Sequence, residues 1–196
     1  MRRRSIEPGY FDALYEADPD PWRFATSAYE RDKYAATLAA LPRPTYHAAL
    51  EVGCSIGVFT LALSSRCRRV LALDCAETAL ERARARCAEA RNVEFRRAVV
   101  PGEWPEGEAF DLIVLSEVVY YFDRAGVALL ARKVGAALAP GGHCALAHWL
   151  GETDYPLSGD DAVTSFLQAS RSFAQPLSAQ RDAQYRLDLI ERREGG

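Results

Sequence analysis

The stretch Ala48-Ala49-Leu50-Glu51-Val52-Gly53-Cys54-Ser55-Ile56-Gly57-Val58-Phe59-Thr60 constrains this chain more than any other. An apolar run ends in an acid and is followed by two glycines four residues apart, which reads as a strand, a tight turn and the start of a helix. Glycine has no Cβ, so the main chain at Gly53 and Gly57 can approach a bound group closely, and Glu51 sets a carboxylate beside it. A sheet edge that holds a nucleoside-like ligand needs these parts.

Three known patterns compete for the turn. A dinucleotide fingerprint, G-x-G-x-x-G, requires glycine where this chain has Ser55 and Val58, so it fails twice. Gly53-Cys54-Ser55-Ile56-Gly57 also spells the G-x-S-x-G elbow of a serine hydrolase, with Ser55 as nucleophile, Asp123 as acid and His148 last. Spacing and order fit that elbow, yet it normally follows several strands and an oxyanion-hole motif, and the upstream residues read as helical. The third pattern, acid-x-Gly-x-Gly-x-Gly, is that of S-adenosylmethionine (SAM)-dependent methyltransferases. Glu51, Gly53 and Gly57 match it, with Ser55 replacing one glycine.

With 196 residues, 49% of them hydrophobic, the chain suits one domain with a full core. Its formal net charge of -3, with Lys33 and Lys133 as the lysines, offers no electrostatic footprint for nucleic acid. The basic run Arg2-Arg3-Arg4 reads as a solvated tail. Five cysteines without a C-x-x-C pair indicate neither a disulfide framework nor a zinc site, so no metal is expected and the thiols are expected reduced. No signal-peptide core or membrane-length apolar run is present, and the expectation is a cytoplasmic protein, a monomer or homodimer, that does not engage membranes.

Along the chain, Pro8 to Glu16 reads as a helix with proline in its first turn, and Ala17 to Phe24 as a rigid loop. Ser27 and Glu30 form a capping box that opens a helix to about Leu41, ahead of Pro42 and Pro44. His47 is read as preceding the first strand. After the turn come a helix (58–65), a strand from Val70 ending in Asp74, a helix (76–90), and a strand from Val93 to Val99. A fourth strand, Phe110 to Leu115, is apolar on both faces as a central parallel strand must be. Asp123 caps a helix to Leu138 that Pro140-Gly141-Gly142 breaks; His143 to Trp149 is a fifth strand, 160–169 a helix, and Tyr185 to Arg192 a closing antiparallel strand. The alternation gives an α/β, Rossmann-like, doubly wound and mostly parallel sheet. Residues 1–45 are expected to be a helical lid and 46–196 the core.

The chain resembles class I SAM-dependent methyltransferases. Its opening (Tyr10-Phe11, Asp20-Pro21-Trp22, Tyr29-Glu30, Lys33-Tyr34), its glycine motif and its Ser116-Glu117-Val118-Val119-Tyr120-Tyr121-Phe122 stretch resemble the NodS-like N-methyltransferases over roughly residues 7 to 150. The resemblance implies SAM as cofactor, S-adenosylhomocysteine as product, and a small-molecule amine, on a sugar or amino sugar, as acceptor. Asp74 ends the second strand roughly twenty residues after Gly53, where a carboxylate accepts both ribose hydroxyls; as a helix cap before Ala76 it has a second use. Cys75 and Ser116 are assigned to the same cofactor site, and Glu51 either orients the turn or approaches the methionine amino group. Many relatives carry an adenine-binding acid after strand three, whereas this chain has Ala98-Val99-Val100-Pro101, leaving main-chain groups at Val99 and the ring of Trp104. Trp22, Tyr29 and Lys33, with Arg31 on another helix face, are expected to fold over the cofactor's methionine end.

Methyl transfer needs an in-line nucleophile with a free lone pair, so a protonated amine must first lose its proton. Ligands of a doubly wound sheet bind beyond the carboxyl ends of its strands, which selects Glu117, Tyr120 and His148 as proton acceptors or relays and Tyr121, Trp149 and Tyr155 as the acceptor's lining. His148 is the expected base, with Glu117 and Tyr120 as alternatives. O-methylation of a small molecule and a non-catalytic SAM-binding domain stay open beside the N-methyltransferase reading.

Overall fold

The apolar run before the glycine turn folds as a strand, β1 (Tyr46–Val52), in a computed structural model that describes residues 4–194. Arg2 and Arg3 of the basic run lie outside the described residues, and Arg4 is exposed. The chain divides into two units: one is Glu7–Val99, and the other joins the segment through Ile6 to the chain from Val100 onward.

The first unit runs α1 (Pro8–Ala17), α2 (Ala28–Ala40), β1, α3 (Val58–Ser64), β2 (Cys67–Asp74), α4 (Glu77–Arg86) and β3 (Val93–Arg97). Its strands lie in the order β3-β2-β1, all parallel. Val52 lies level with Leu73 and Asp74 with Arg97, so the carboxyl ends of β1 and β2 finish side by side. Leu50, Val70, Leu71 and Ala72 are fully buried, as parallel strands covered on both faces require.

Helix ends in this unit follow their sequence signals. Pro8 opens α1, and the Ser27 hydroxyl accepts from the Glu30 N–H at 3.3 Å to start α2. The Arg66 guanidinium donates to the carbonyls of Leu38, Arg43 and Pro44, at 2.9, 2.6 and 2.6 Å. It thereby satisfies the end of α2 and the proline loop at once. His47 lies within β1 rather than before it, since an exposed residue still fits an outward step of the pleat.

The second unit runs β4 (Phe110–Ser116), a 3₁₀ turn (Val119–Tyr121), α5 (Arg124–Ala137), β5 (Leu138–Trp149), α6 (Gly159–Ser170), β6 (Ala174–Arg181) and β7 (Tyr185–Arg192). Its strand order is β4-β5-β7-β6, with β4–β5 parallel and the other two pairings antiparallel. The Asp123 carboxylate accepts from the Gly126 N–H at 2.9 Å and caps α5.

Two features of this unit depart from the sequence reading. Pro140-Gly141-Gly142 does end α5, but it lies inside β5: Phe110 faces Leu138 and Leu112 already faces His143, so the intervening residues bulge out of the ladder. The second is β6, an antiparallel strand additional to the one expected. Its residues after Ala174 are exposed and carry no alternating apolar pattern. Backbone pairing with β7 makes it a strand, with an irregularity between Pro176 and Ser178. The fold is α/β, mostly parallel, with antiparallel C-terminal strands.

Gly57 carries the closest packing near the turn. It sits at φ +78°, and a Cβ added there would come within 2.9 Å of Ala83 Cα. Gly57→Ala should therefore lower stability by about 2–4 kcal/mol, strain and overpacking combined. Gly107→Ala, at φ +77° with nothing within 4 Å of the added Cβ, should lose only the backbone share of about 1–2 kcal/mol. Urea unfolding of the two variants measures the difference.

Candidate functional site: a glycine turn and an aromatic cluster

After β1 the chain alternates into the left-handed region, with φ +77° at Gly53, +51° at Ser55 and +78° at Gly57. Gly53 and Cys54 both donate their N–H to the Leu73 carbonyl, at 2.8 and 2.9 Å, and the Gly57 N–H closes the turn on the Cys54 carbonyl at 3.0 Å. At the C-terminal end of α4, Arg86 Nε donates to the Ile56 carbonyl at 2.9 Å, and the thiol of the capping residue Cys87 donates to the Gly57 carbonyl at 3.5 Å. Ser55 occupies a position where a side chain costs about 1–2 kcal/mol, which explains the glycine of the related pattern. Its hydroxyl accepts from the Tyr15 hydroxyl at 2.5 Å.

Asp74 Oδ2 accepts from the Ser55 N–H at 2.8 Å and its Oδ1 from the Ala76 N–H at 3.0 Å. Burial nevertheless pushes its carboxyl above the ordinary range, with those N–H groups pulling the other way. Glu51, only 3% exposed, is pushed up to about 7 by burial, against the Thr60 hydroxyl and with the Asp74 charge. Its Oε2 has no hydrogen-bond partner among the described residues. Burial and then Asp74 push the Cys75 thiol up to about 12, which keeps it protonated. Two buried carboxyl groups beside bare backbone, one with an unsatisfied oxygen, fit a ligand that presents hydroxyls and an ammonium group, as SAM does.

The N-terminal helices meet this turn. Tyr15, Ile56, Ala76 and Ala79 form a buried cluster against which Phe11, Trp22 and Val58 pack. Trp22 contacts Tyr15 edge-on and stacks on Phe24, both at 5.6 Å between centroids. On α2, Lys33 is buried with its Nζ 3.0 Å from Glu30 Oε1 and 5.0 Å from the centre of the Tyr29 ring. Arg31 is exposed and paired with Asp32. Val99 is half-buried at the end of this unit. Tyr15 and Arg86 escaped the sequence reading as site residues; the aromatic face of α1, Phe11 with Tyr15, was the available signal for the first.

In the second unit the structure gathers Glu117, Tyr120, Tyr121, His148, Trp149 and Tyr155. Glu117 stands at φ +54°, and its Oε2 accepts from the Tyr120 hydroxyl at 2.6 Å and from the Trp149 N–H at 3.0 Å. His148 is fully buried, and its Nε2 accepts from the Val119 N–H at 3.0 Å. The Tyr120 ring lies 5.4 Å from His148, 4.7 Å from Tyr121 and 5.2 Å from Tyr155. Burial pushes the Tyr120 and Tyr121 hydroxyls well above their ordinary ionisation, so both remain donors. Ser116 ends β4, level with Ala147 on β5. Trp104 is buried, and its Nε1 has no hydrogen-bond partner among the described residues. No group of three or more His, Cys, Asp or Glu that could hold a metal occurs among the described residues, and no described helix is long and apolar enough to cross a membrane.

The hydrolase elbow gains nothing from these contacts. The Ser55 hydroxyl is engaged by Tyr15, Asp123 caps α5, and His148 Nε2 takes a backbone amide.

The family model of nodulation protein S (NodS) matches residues 14–140. Nodulation protein S of Sinorhizobium fredii (strain NBRC 101917 / NGR234) is 35% identical over 129 residues, 65% of this chain and 59% of the relative. That of Rhizobium tropici is 36% identical over 129 residues, 65% of this chain and 54% of the relative. This chain thus spans a little over half the length of these curated relatives. Among solved structures, N-methyltransferase NodS from Bradyrhizobium japonicum WM9 in complex with S-adenosyl-L-homocysteine superposes with a TM-score of 0.83 at 22% identity, covering 96% of this chain and 100% of that one. A candidate methyltransferase from Pseudomonas syringae gives 0.74 at 36% identity, covering 85% and 100%.

The Glu51 carboxyl makes stability depend on pH with a definite sign. The folded protein holds its proton up to about 7, whereas the unfolded chain releases it near the ordinary 4.5. Its contribution is therefore present in full below 4.5 and is lost as pH rises through 7, on the order of 3 kcal/mol. Urea unfolding across that window should show the parent losing stability and Glu51→Gln losing less; identical slopes would remove Glu51 as the cause.

Proposed function

The chain belongs to the nodulation protein S family, and we propose that it is a SAM-dependent N-methyltransferase acting on the amine of a small-molecule acceptor, an amino sugar or glycosylated metabolite. The observation that carries this reading is the left-handed turn at Gly53, Ser55 and Gly57 locked to the buried Asp74 carboxylate. Bound SAM supplies the sulfonium methyl group. Asp74 would accept from the ribose hydroxyls, Glu51 would face the methionine ammonium, and Cys75 and Val99 would lie beside the nucleoside. Of the N-terminal segment, residues 18–34 would act as a lid, with Trp22, Tyr29 and Lys33 excluding water at the methionine end.

In the second unit, Glu117 takes the proton that an acceptor ammonium must lose before it can attack. The Tyr120 hydroxyl and the Trp149 amide hold that carboxylate in one place. His148, with Nε2 on the Val119 amide, positions the segment that carries Glu117 and Tyr120. Tyr121, Trp149 and Tyr155 line the acceptor.

Purified protein incubated with SAM and a panel of amino sugars, beside their N-acetylated and hydroxyl counterparts, should methylate the free amines; mass spectrometry locates the added methyl group. Methylated hydroxyl groups would instead make the protein an O-methyltransferase. Glu117→Gln should reduce amine turnover about 10²- to 10⁴-fold while leaving S-adenosylhomocysteine affinity unchanged. Unchanged turnover would return the proton-accepting role to His148 or Tyr120. For the lid, S-adenosylhomocysteine should slow amide exchange across residues 18–34; equal exchange with and without it would reduce these helices to structural cover.

A further inference from the structure

We propose that Tyr15 is a positioning residue of the cofactor turn, acting through Ser55 to hold Asp74 in place. The inference rests on the methyltransferase reading of that turn.

Three bonded groups carry it. Tyr15 is 2% exposed on α1, and its hydroxyl donates to Ser55 Oγ at 2.5 Å. The Ser55 N–H in turn donates to Asp74 Oδ2 at 2.8 Å. Asp74 therefore receives a backbone donor from a residue that α1 grips by its side chain. Arg82 of α4 secures the same end of α1 by donating to the Tyr15 carbonyl at 3.3 Å.

The residue types make sense only together. Serine at φ +51° is strained where glycine would be at ease. Glycine, however, would leave a buried phenol hydroxyl without this acceptor, and burying an unbonded hydroxyl is costly. The residue that departs from the methyltransferase glycine pattern is thus the one whose hydroxyl Tyr15 uses. Burial and the Asp74 charge keep the Tyr15 hydroxyl protonated, so it stays a donor.

Calorimetry with S-adenosylhomocysteine on the full chain tests this with Tyr15→Phe, Ser55→Gly and the double variant. Each single change should weaken binding about tenfold, and the double variant should bind no more weakly than either, because both remove one interaction. Phe11→Leu loosens the packing of α1 on the same cluster without touching the hydrogen bond; it should lower the melting temperature and leave the affinity as it was. In the cofactor-free protein, Tyr15→Phe and Ser55→Gly should both speed amide exchange across Pro8–Ala17. Tight binding by Tyr15→Phe, additive losses in the double variant, or an equal loss in Phe11→Leu would each overturn the proposal. A parent that does not bind S-adenosylhomocysteine would overturn the methyltransferase reading itself.

Discussion

The carboxyl end of β2 supplies the acceptors on which the glycine turn depends. Leu73 gives one carbonyl to two successive N–H groups, and Asp74 gives its side chain to a third. Three amides of a turn that would otherwise point into a buried space are thereby satisfied by the neighbouring strand. This is possible because Val52 and Leu73 lie level, so parallel pairing of β1 and β2 delivers the acceptors to the place where β1 stops. A slip of one residue in that register would leave the amides unsatisfied and turn Asp74 to the opposite face.

Local rules that act between neighbours in sequence were legible. The apolar run into Gly53, the acid ending β2, the Ser27 and Asp123 caps, and the span of β7 all depend on hydrophobic patterning or on side chains a few residues from their partners. Pairing across long separations was not legible. β6 has no apolar alternation of its own and is a strand because β7 lies beside it. Pro140-Gly141-Gly142 looks like a terminator, yet a bulge against β4 absorbs it. Spacing put Glu51 and Asp74 at the ends of β1 and β2, whereas the Tyr15 contact joins residues forty apart, and the bond to His148 Nε2 could be seen only once Val119 stood next to it.

Among the described residues, Arg23, Ser55 and Glu117 are the non-glycine residues with left-handed backbones. Ser55 lies in the glycine turn and Glu117 follows β4, and each is held by bonds to its side chain and its amide. Such conformations persist where surrounding contacts over-determine them. For Glu117 the contacts are the Ala147 carbonyl, the Tyr120 hydroxyl and the Trp149 amide, so the carboxylate is fixed from both the backbone and the side-chain ends.

The terminal strand of the second unit carries a different consequence. β6 ends the order β4-β5-β7-β6, so one side of its backbone has no strand beside it in this unit. An open ladder of that kind is a template for edge-to-edge aggregation. Pro176 removes one donor from it, the irregularity before Ser178 breaks its flatness, and Arg181 adds a charge at its far end. The same features that hid β6 from a reading of the sequence make it a poor docking edge for a stray strand, so the sheet can stop at this point without recruiting another chain.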